Sequence, residues 1–212
     1  MKRLMYIMVV CSLAFFATVD MAYAGGRHRN GGGRRFRGCS SSMNASKGTG
    51  QSRGNRQNRG SGQSKAKYDL TTEQEEALIF MYQEEKLARD VYDALGDQWE
   101  LRPFLKIKKA EQKHMDAVGR LLDKYGITRP VGDTPGEFAD SSLQSLYNEL
   151  VEKGLQSEVD ALETGRLIEI TDIKDLEERI KDSTPDVKRV FSKLKRGSYN
   201  HLRAFERNLK KY

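Results

Sequence analysis

Three short patterns in this 212-residue chain set possible metal ligands three residues apart: Glu111-Gln-Lys-His114, Glu169-Ile-Thr-Asp172 and Ser198-Tyr-Asn-His201. A fourth group is Glu85, in Glu84-Glu85-Lys86. On a helix, residues i and i+3 share a face, so both side chains of each pair point the same way. Carboxylate oxygen and imidazole nitrogen together suit iron, manganese or zinc. A lone Glu-x-x-His is weak evidence, because Glu is common on helices and a single inward His is more often a hydrogen-bonded core residue. The weight comes from finding such groups in four long helical segments, each time near the middle of an apolar run.

The segments themselves are legible from Tyr68 onward. A capping box at Thr72-x-x-Glu75 predicts the start of the first long helix, which runs to about Leu95. A loop containing Trp99 follows, and Pro103 suits the first turn of the second helix, which ends near Tyr125 before Gly126. Thr128–Asp140 holds Pro130, Gly132, Pro135 and Gly136 and predicts a loop. Leu143–Val151 predicts a short amphipathic helix. The third long helix covers about Ser157–Lys181, and the fourth opens at Thr184-Pro185-Asp186 and runs nearly to the end. Strand signals are absent. Two tight helix pairs joined by a long stretch, Gly126–Gln156, predict an all-α four-helix bundle with one crossover containing a short extra helix.

Steps of three and four trace the inward seam of each long helix. The seams read Leu78, Met81, Glu85, Ala88, Tyr92, Leu95; Phe104, Ile107, Glu111, His114, Val118, Leu121, Tyr125; Leu162, Gly165, Glu169, Asp172, Leu176; and Val187, Phe191, Leu194, Ser198, His201, Phe205. Glu84 and Ile173 are alternatives for inward positions. An unpaired buried carboxylate is costly or gives up its charge. Lys and Arg are nearly absent from these seams, so Glu85, Glu111, Glu169 and Asp172 call for one or two divalent cations, and two would balance four negative charges. Tyr92 is either a packing residue whose hydroxyl finds a partner or a redox-active group beside the site. Arg89, Asn200 and Arg203 are either orienters of the ligand carboxylates or solvated surface residues.

These residues resemble those of rubrerythrin and other ferritin-like di-iron proteins, in which two helices each supply a Glu and two each supply Glu-x-x-His. Glu85-Lys-Leu-Ala88-Arg89-x-x-Tyr92 resembles the first-helix motif, Glu111-Gln-Lys-His114 the second, and Glu169-Ile-Thr-Asp172 the third. His201 falls where the fourth-helix His belongs. More closely, Leu70–Leu209 resembles an uncharacterised bacterial ferritin-like family through Glu84–Tyr92, Glu111–Asp116, Glu169–Leu176 and Asn200–Phe205. The resemblance implies a ferritin-like fold, an iron site held by Glu85, Glu111, His114, Glu169, Asp172 and His201, and redox or ferroxidase chemistry. Ser198 departs from the pattern, since a Glu is expected there, and it removes a potential bridging carboxylate.

Ahead of this domain stand two other segments. Met1–Ala24 has a positive start, an apolar run and Ala22-Tyr23-Ala24, which predict a cleaved export signal and a periplasmic or secreted protein. Gly25–Lys67 is low-complexity Gly, Arg, Ser and Asn, predicted to be disordered. It holds eight Arg and three Lys with no acid, so the overall charge of +7 conceals an acidic remainder of −5 in residues 68–212. The basic segment is either a soluble linker or a tether to an anionic envelope polymer or lipid headgroups. Nucleic acid is not expected as a partner of an exported chain, although such a tail has the charge for it. Cys39 is the single cysteine after the signal, which excludes an internal disulfide framework or a cysteine-held iron–sulfur partner. Catalysis and simple metal holding both remain open, as does a homodimer.

Overall fold

The computed structural model describes residues 68–130, 132–138 and 140–212. The expected export signal, Met1–Ala24, and basic segment, Gly25–Lys67, lie outside the described residues. Five helices and no strand occur among the described residues: α1 (Thr72–Trp99), α2 (Arg102–Tyr125), α3 (Ser141–Gly154), α4 (Glu158–Lys181) and α5 (Pro185–Leu209). None is long and apolar enough to cross a membrane.

The helix ends follow local chemistry. The capping box of α1 sits one residue earlier than expected, at Thr71 and Gln74. The Thr71 hydroxyl accepts the Gln74 N–H, and the Gln74 carboxamide oxygen accepts the Thr71 N–H. This reciprocal pair satisfies two of the donors left open at a helix start. The helix also continues past Leu95 to Trp99, because the indole N–H donates to the Gly154 carbonyl at 2.9 Å and holds that last turn in place. Helix α2 ends where Gly126 takes the left-handed conformation, φ 71°. Ser157 caps α4 by accepting the Asp160 N–H. Thr184 stands at the N-cap of α5 as expected, but its hydroxyl donates to the Asp186 carboxylate at 2.8 Å and accepts no backbone N–H.

Helices α1 and α2 form one hairpin and α4 and α5 another. The hairpins meet through α1 against α4 and α2 against α5. Two apolar clusters fill the space between them. One contains Leu95, Phe104, Leu162 and Phe205, and the other Leu78, Leu122, Leu176 and Phe191, all almost fully buried. Side chains this size each contribute about 1.5–3 kcal/mol when removed from water. Because α2 ends in the second cluster and α4 begins in the first, residues 126–157 carry the chain from one end of the core to the other. Helix α3 lies along that path, against α1 and α4.

One buried cation lies beside the seam of α1, at a position the seam does not include. Lys86 is fully buried, its ammonium donating to Asp90 at 2.6 Å and to the Thr134 carbonyl at 2.8 Å, above the Phe138 ring. Asp90 also accepts the Gly136 N–H. A buried ion pair survives only when its remaining hydrogen-bonding capacity is met. Here the crossover loop meets it, and is thereby fastened to α1.

Candidate metal centre

Between the two apolar clusters each long helix changes character. Glu85 on α1, Glu111 and His114 on α2, Glu169 and Asp172 on α4, and Ser198 and His201 on α5 occupy this middle layer. The seams bring them together. His114 Nδ1 lies 3.3 Å from Glu85 Oε2 and 2.9 Å from Glu111 Oε2. His201 Nδ1 lies 2.7 Å from Glu111 Oε1 and 3.6 Å from Glu169 Oε1. Glu111 thus turns one oxygen to each imidazole, while Glu85 completes one side and Glu169 the other. The two rings stack with centroids 5.5 Å apart. Ligand atoms of Glu111, His114 and His201 all fall within 4.8 Å of one another.

Close approach is not the same as hydrogen bonding. Both Nδ1 atoms, Glu111 Oε1, Glu85 Oε1 and Asp172 Oδ1 are buried and make no well-aligned hydrogen bond, although each Nδ1 lies at ion-pair distance from a carboxylate. Native interiors rarely leave polar atoms in that condition. Five such atoms in one layer, all of them able to ligate metal, fit a divalent cation held among them.

The electrostatics agree. Burial alone would lower the imidazole basicity of His114, but Glu85 and Glu111 outweigh it and push the pKa up to about 11. Burial likewise opposes charge on His201, yet Glu111 and Glu169 push it up to about 10. Glu111 pays the burial penalty but is held down to about 2 by the two histidines. Burial and then the charge of Glu111 push Glu169 up to about 8. Burial, with Glu111 adding to it and Ser198 opposing, pushes Asp172 up to about 7. Burial and Asp172 raise Glu85 well above the usual carboxylate range. Without a cation, the layer must keep protons on several of its acids.

The flanking residues divide. The Tyr92 hydroxyl is fully buried and donates to Glu169 Oε1 at 2.8 Å. Ser198 is buried, but its hydroxyl donates to the Leu194 carbonyl at 3.0 Å. Arg89 does not orient the ligands. Its guanidinium serves Asp90 and Gln112 instead, because one step along α1 turns it away from the seam. Asn200 and Arg203 are exposed and stand outside the layer.

Two features lie outside the seams, one of them the alternative inward residue Glu84. Glu84 packs inward beside Asp175, whose charge adds to burial in raising the Glu84 pKa well above normal. Asp175 is 6% exposed. Gly197 on α5 is the other. A Cβ there would come within 2.6 Å of His114 Nε2, so glycine alone leaves room for that ring. A glycine in the middle of a strongly helical segment was the one available signal, since it costs about 1 kcal/mol against alanine unless something needs the space.

Residues 74–212 match the family model described as an uncharacterized protein domain, DUF2202. The chain is 50% identical over 151 residues to the uncharacterized protein MJ0754 of Methanocaldococcus jannaschii, covering 70% of this chain and 82% of the relative. The crystal structure of that hypothetical protein superposes with a TM-score of 0.68 at 49% identity, covering 70% of this chain and 86% of the other.

Proposed function

This chain belongs to the DUF2202 family, and from the acid and imidazole layer inside its helices we propose that it is an exported metal-binding protein of the ferritin-like kind. Iron is its cofactor, as one or two ions, with manganese or zinc able to occupy the same ligands. The single observation that carries this reading is Glu111, whose two oxygens each face a different histidine whose Nδ1 makes no well-aligned hydrogen bond. One ion would be held by Glu85, Glu111 and His114. The other would be held by Glu111, Glu169 and His201, with Asp172 at hand. Two helix hairpins joined by an end-to-end crossover also suit a ferritin-like bundle.

Bound iron would supply electrons to oxygen or peroxide. The chain's own contribution is to hold the ligands. Tyr92 fixes one oxygen of Glu169, the carboxylates are kept from water at 2–3% exposure, and the imidazoles are left without competing hydrogen bonds. Ser198 favours a second reading, a binder that does not turn over. It offers no carboxylate on α5. Export to the periplasm or medium is supported by Met1–Ala24, and attachment to an anionic envelope by the basic Gly25–Lys67.

Metal analysis of protein purified without a histidine tag tests the site. One or two ions per chain are expected, lost in Glu111→Ala, His114→Ala. Aerobic Fe(II) oxidation then separates the readings: an enzyme oxidises many equivalents, whereas a binder stops at its site stoichiometry.

A further inference from the structure

The layer does not face water evenly. The side chains of Glu85, Glu111 and Glu169 are 2–3% exposed, but His114 and His201 are 15% and 12% exposed. These histidines sit on α2 and α5, which pack against each other. The side of the layer nearest water, its mouth, is therefore the α2–α5 side, where the two imidazoles lie.

Charge is divided along the same line. Helix α2 has seven Lys and Arg against three acids, and α5 seven against two. Helix α1 has two against eight, and α4 four against eight. A domain that is acidic as a whole thus has a formal surplus of nine positive charges on the helix pair around the mouth, and of ten negative charges on the opposite pair. Lys106, Lys113 and Arg120 on α2, with Lys193, Arg196 and Arg203 on α5, are exposed and join no ion pair among the described residues. Two divalent ions would neutralise Glu85, Glu111, Glu169 and Asp172, so the field at the mouth of a loaded site is that of the surrounding lysines and arginines. Such fields concentrate counter-ions and raise their association rates by about 10–1,000-fold.

We infer that, besides a neutral oxidant, this site takes a small anion as an exogenous ligand, drawn in along the basic α2–α5 face. The inference rests on the metal reading above. A free divalent cation gains nothing from this face, and a neutral molecule is indifferent to it.

Azide is the anionic probe and nitric oxide the neutral one, each mixed rapidly with the Fe(II)-loaded full chain. Raising the salt from about 10 mM to about 1 M shortens the screening length from about 30 Å to about 3 Å. The azide rate should fall about tenfold over that range. Lys113→Glu with Lys193→Glu should cut the low-salt azide rate about tenfold and flatten its salt dependence, with metal content and the nitric oxide rate unchanged. An azide rate indifferent to salt and to charge reversal, at full metal content, overturns the inference. A wild-type chain that takes up no metal overturns the metal reading and this inference together.

Discussion

Glu111 is the residue on which the site turns, because it serves both halves. Glu111→Ala should abolish binding of both ions, whereas Glu85→Ala should leave the ion on the Glu169–His201 side. Isothermal titration with Mn(II) or Zn(II) reads the difference as lost stoichiometry. Gly197 acts through His114. Gly197→Ala forces the ring aside, should cost about 1–3 kcal/mol as overpacking does, and should remove the ion on the His114 side. Gly154→Ala creates a similar clash, its Cβ 2.6 Å from Leu95 Cδ1, but away from the layer. It should lower stability with metal stoichiometry intact. The acids and histidines that share the layer were legible because apolar seams make a carboxylate or imidazole in mid-helix conspicuous. Gly197 was not, since its role is the space it leaves for a side chain on another helix. For Arg89, Asn200 and Arg203 the sequence left a ligand-orienting role and a solvated one both open, for a related reason. Nearness in sequence to a ligand says little about facing it, and one residue along a helix is a turn of about 100°.

The helices were largely legible from caps, prolines and periodicity, and the discrepancies lie where distant parts of the chain intervene. Helix α1 outlasts Leu95 because the Gly154 carbonyl, 55 residues away, accepts the Trp99 N–H. Its end is also mildly strained. Glu100 takes the left-handed conformation, φ 50°, while its N–H closes the helix on the Gly96 carbonyl. Glu100→Gly should therefore raise stability by about 0.5–1 kcal/mol, measurable in urea. Lys86 was unreadable as a core residue because its partners include the crossover loop. Asp90→Ala leaves its ammonium buried without a carboxylate and should destabilise by about 3–5 kcal/mol. Replacing both by Lys86→Met, Asp90→Ala should recover part of that loss.

For the whole molecule, the folded-state charges set how stability depends on pH. Without metal, Glu169 and Asp172 are pushed up to about 8 and about 7, so they hold protons that the unfolded chain has released by pH 5. Their ionisation makes folding less favourable as pH rises through that interval. His114 and His201, pushed up to about 11 and about 10, add stability that is complete below the unfolded imidazole pKa and is lost as pH climbs towards those values. Glu111, held down to about 2, works the other way, and its stabilisation disappears as pH falls below about 4.5. Metal-free protein should accordingly be most stable near pH 4–5 and weaken towards pH 8. Metal should reverse the trend above pH 6, because it binds the ionised acids and neutral imidazoles and releases their protons. Thermal melts across pH, with and without Mn(II), check both slopes. At about 100 times the dissociation constant a bound ion should add about 2.7 kcal/mol.

Anomalous diffraction from crystals grown with iron or manganese tests the central claim most directly. The account predicts scattering peaks in the middle layer, about 2.1 Å from His114 Nδ1 or His201 Nδ1, with Glu111 bound to each ion present. Peaks confined to surface carboxylates would contradict it, as would an empty layer in which the histidines bond to the acids with ordinary hydrogen-bond alignment.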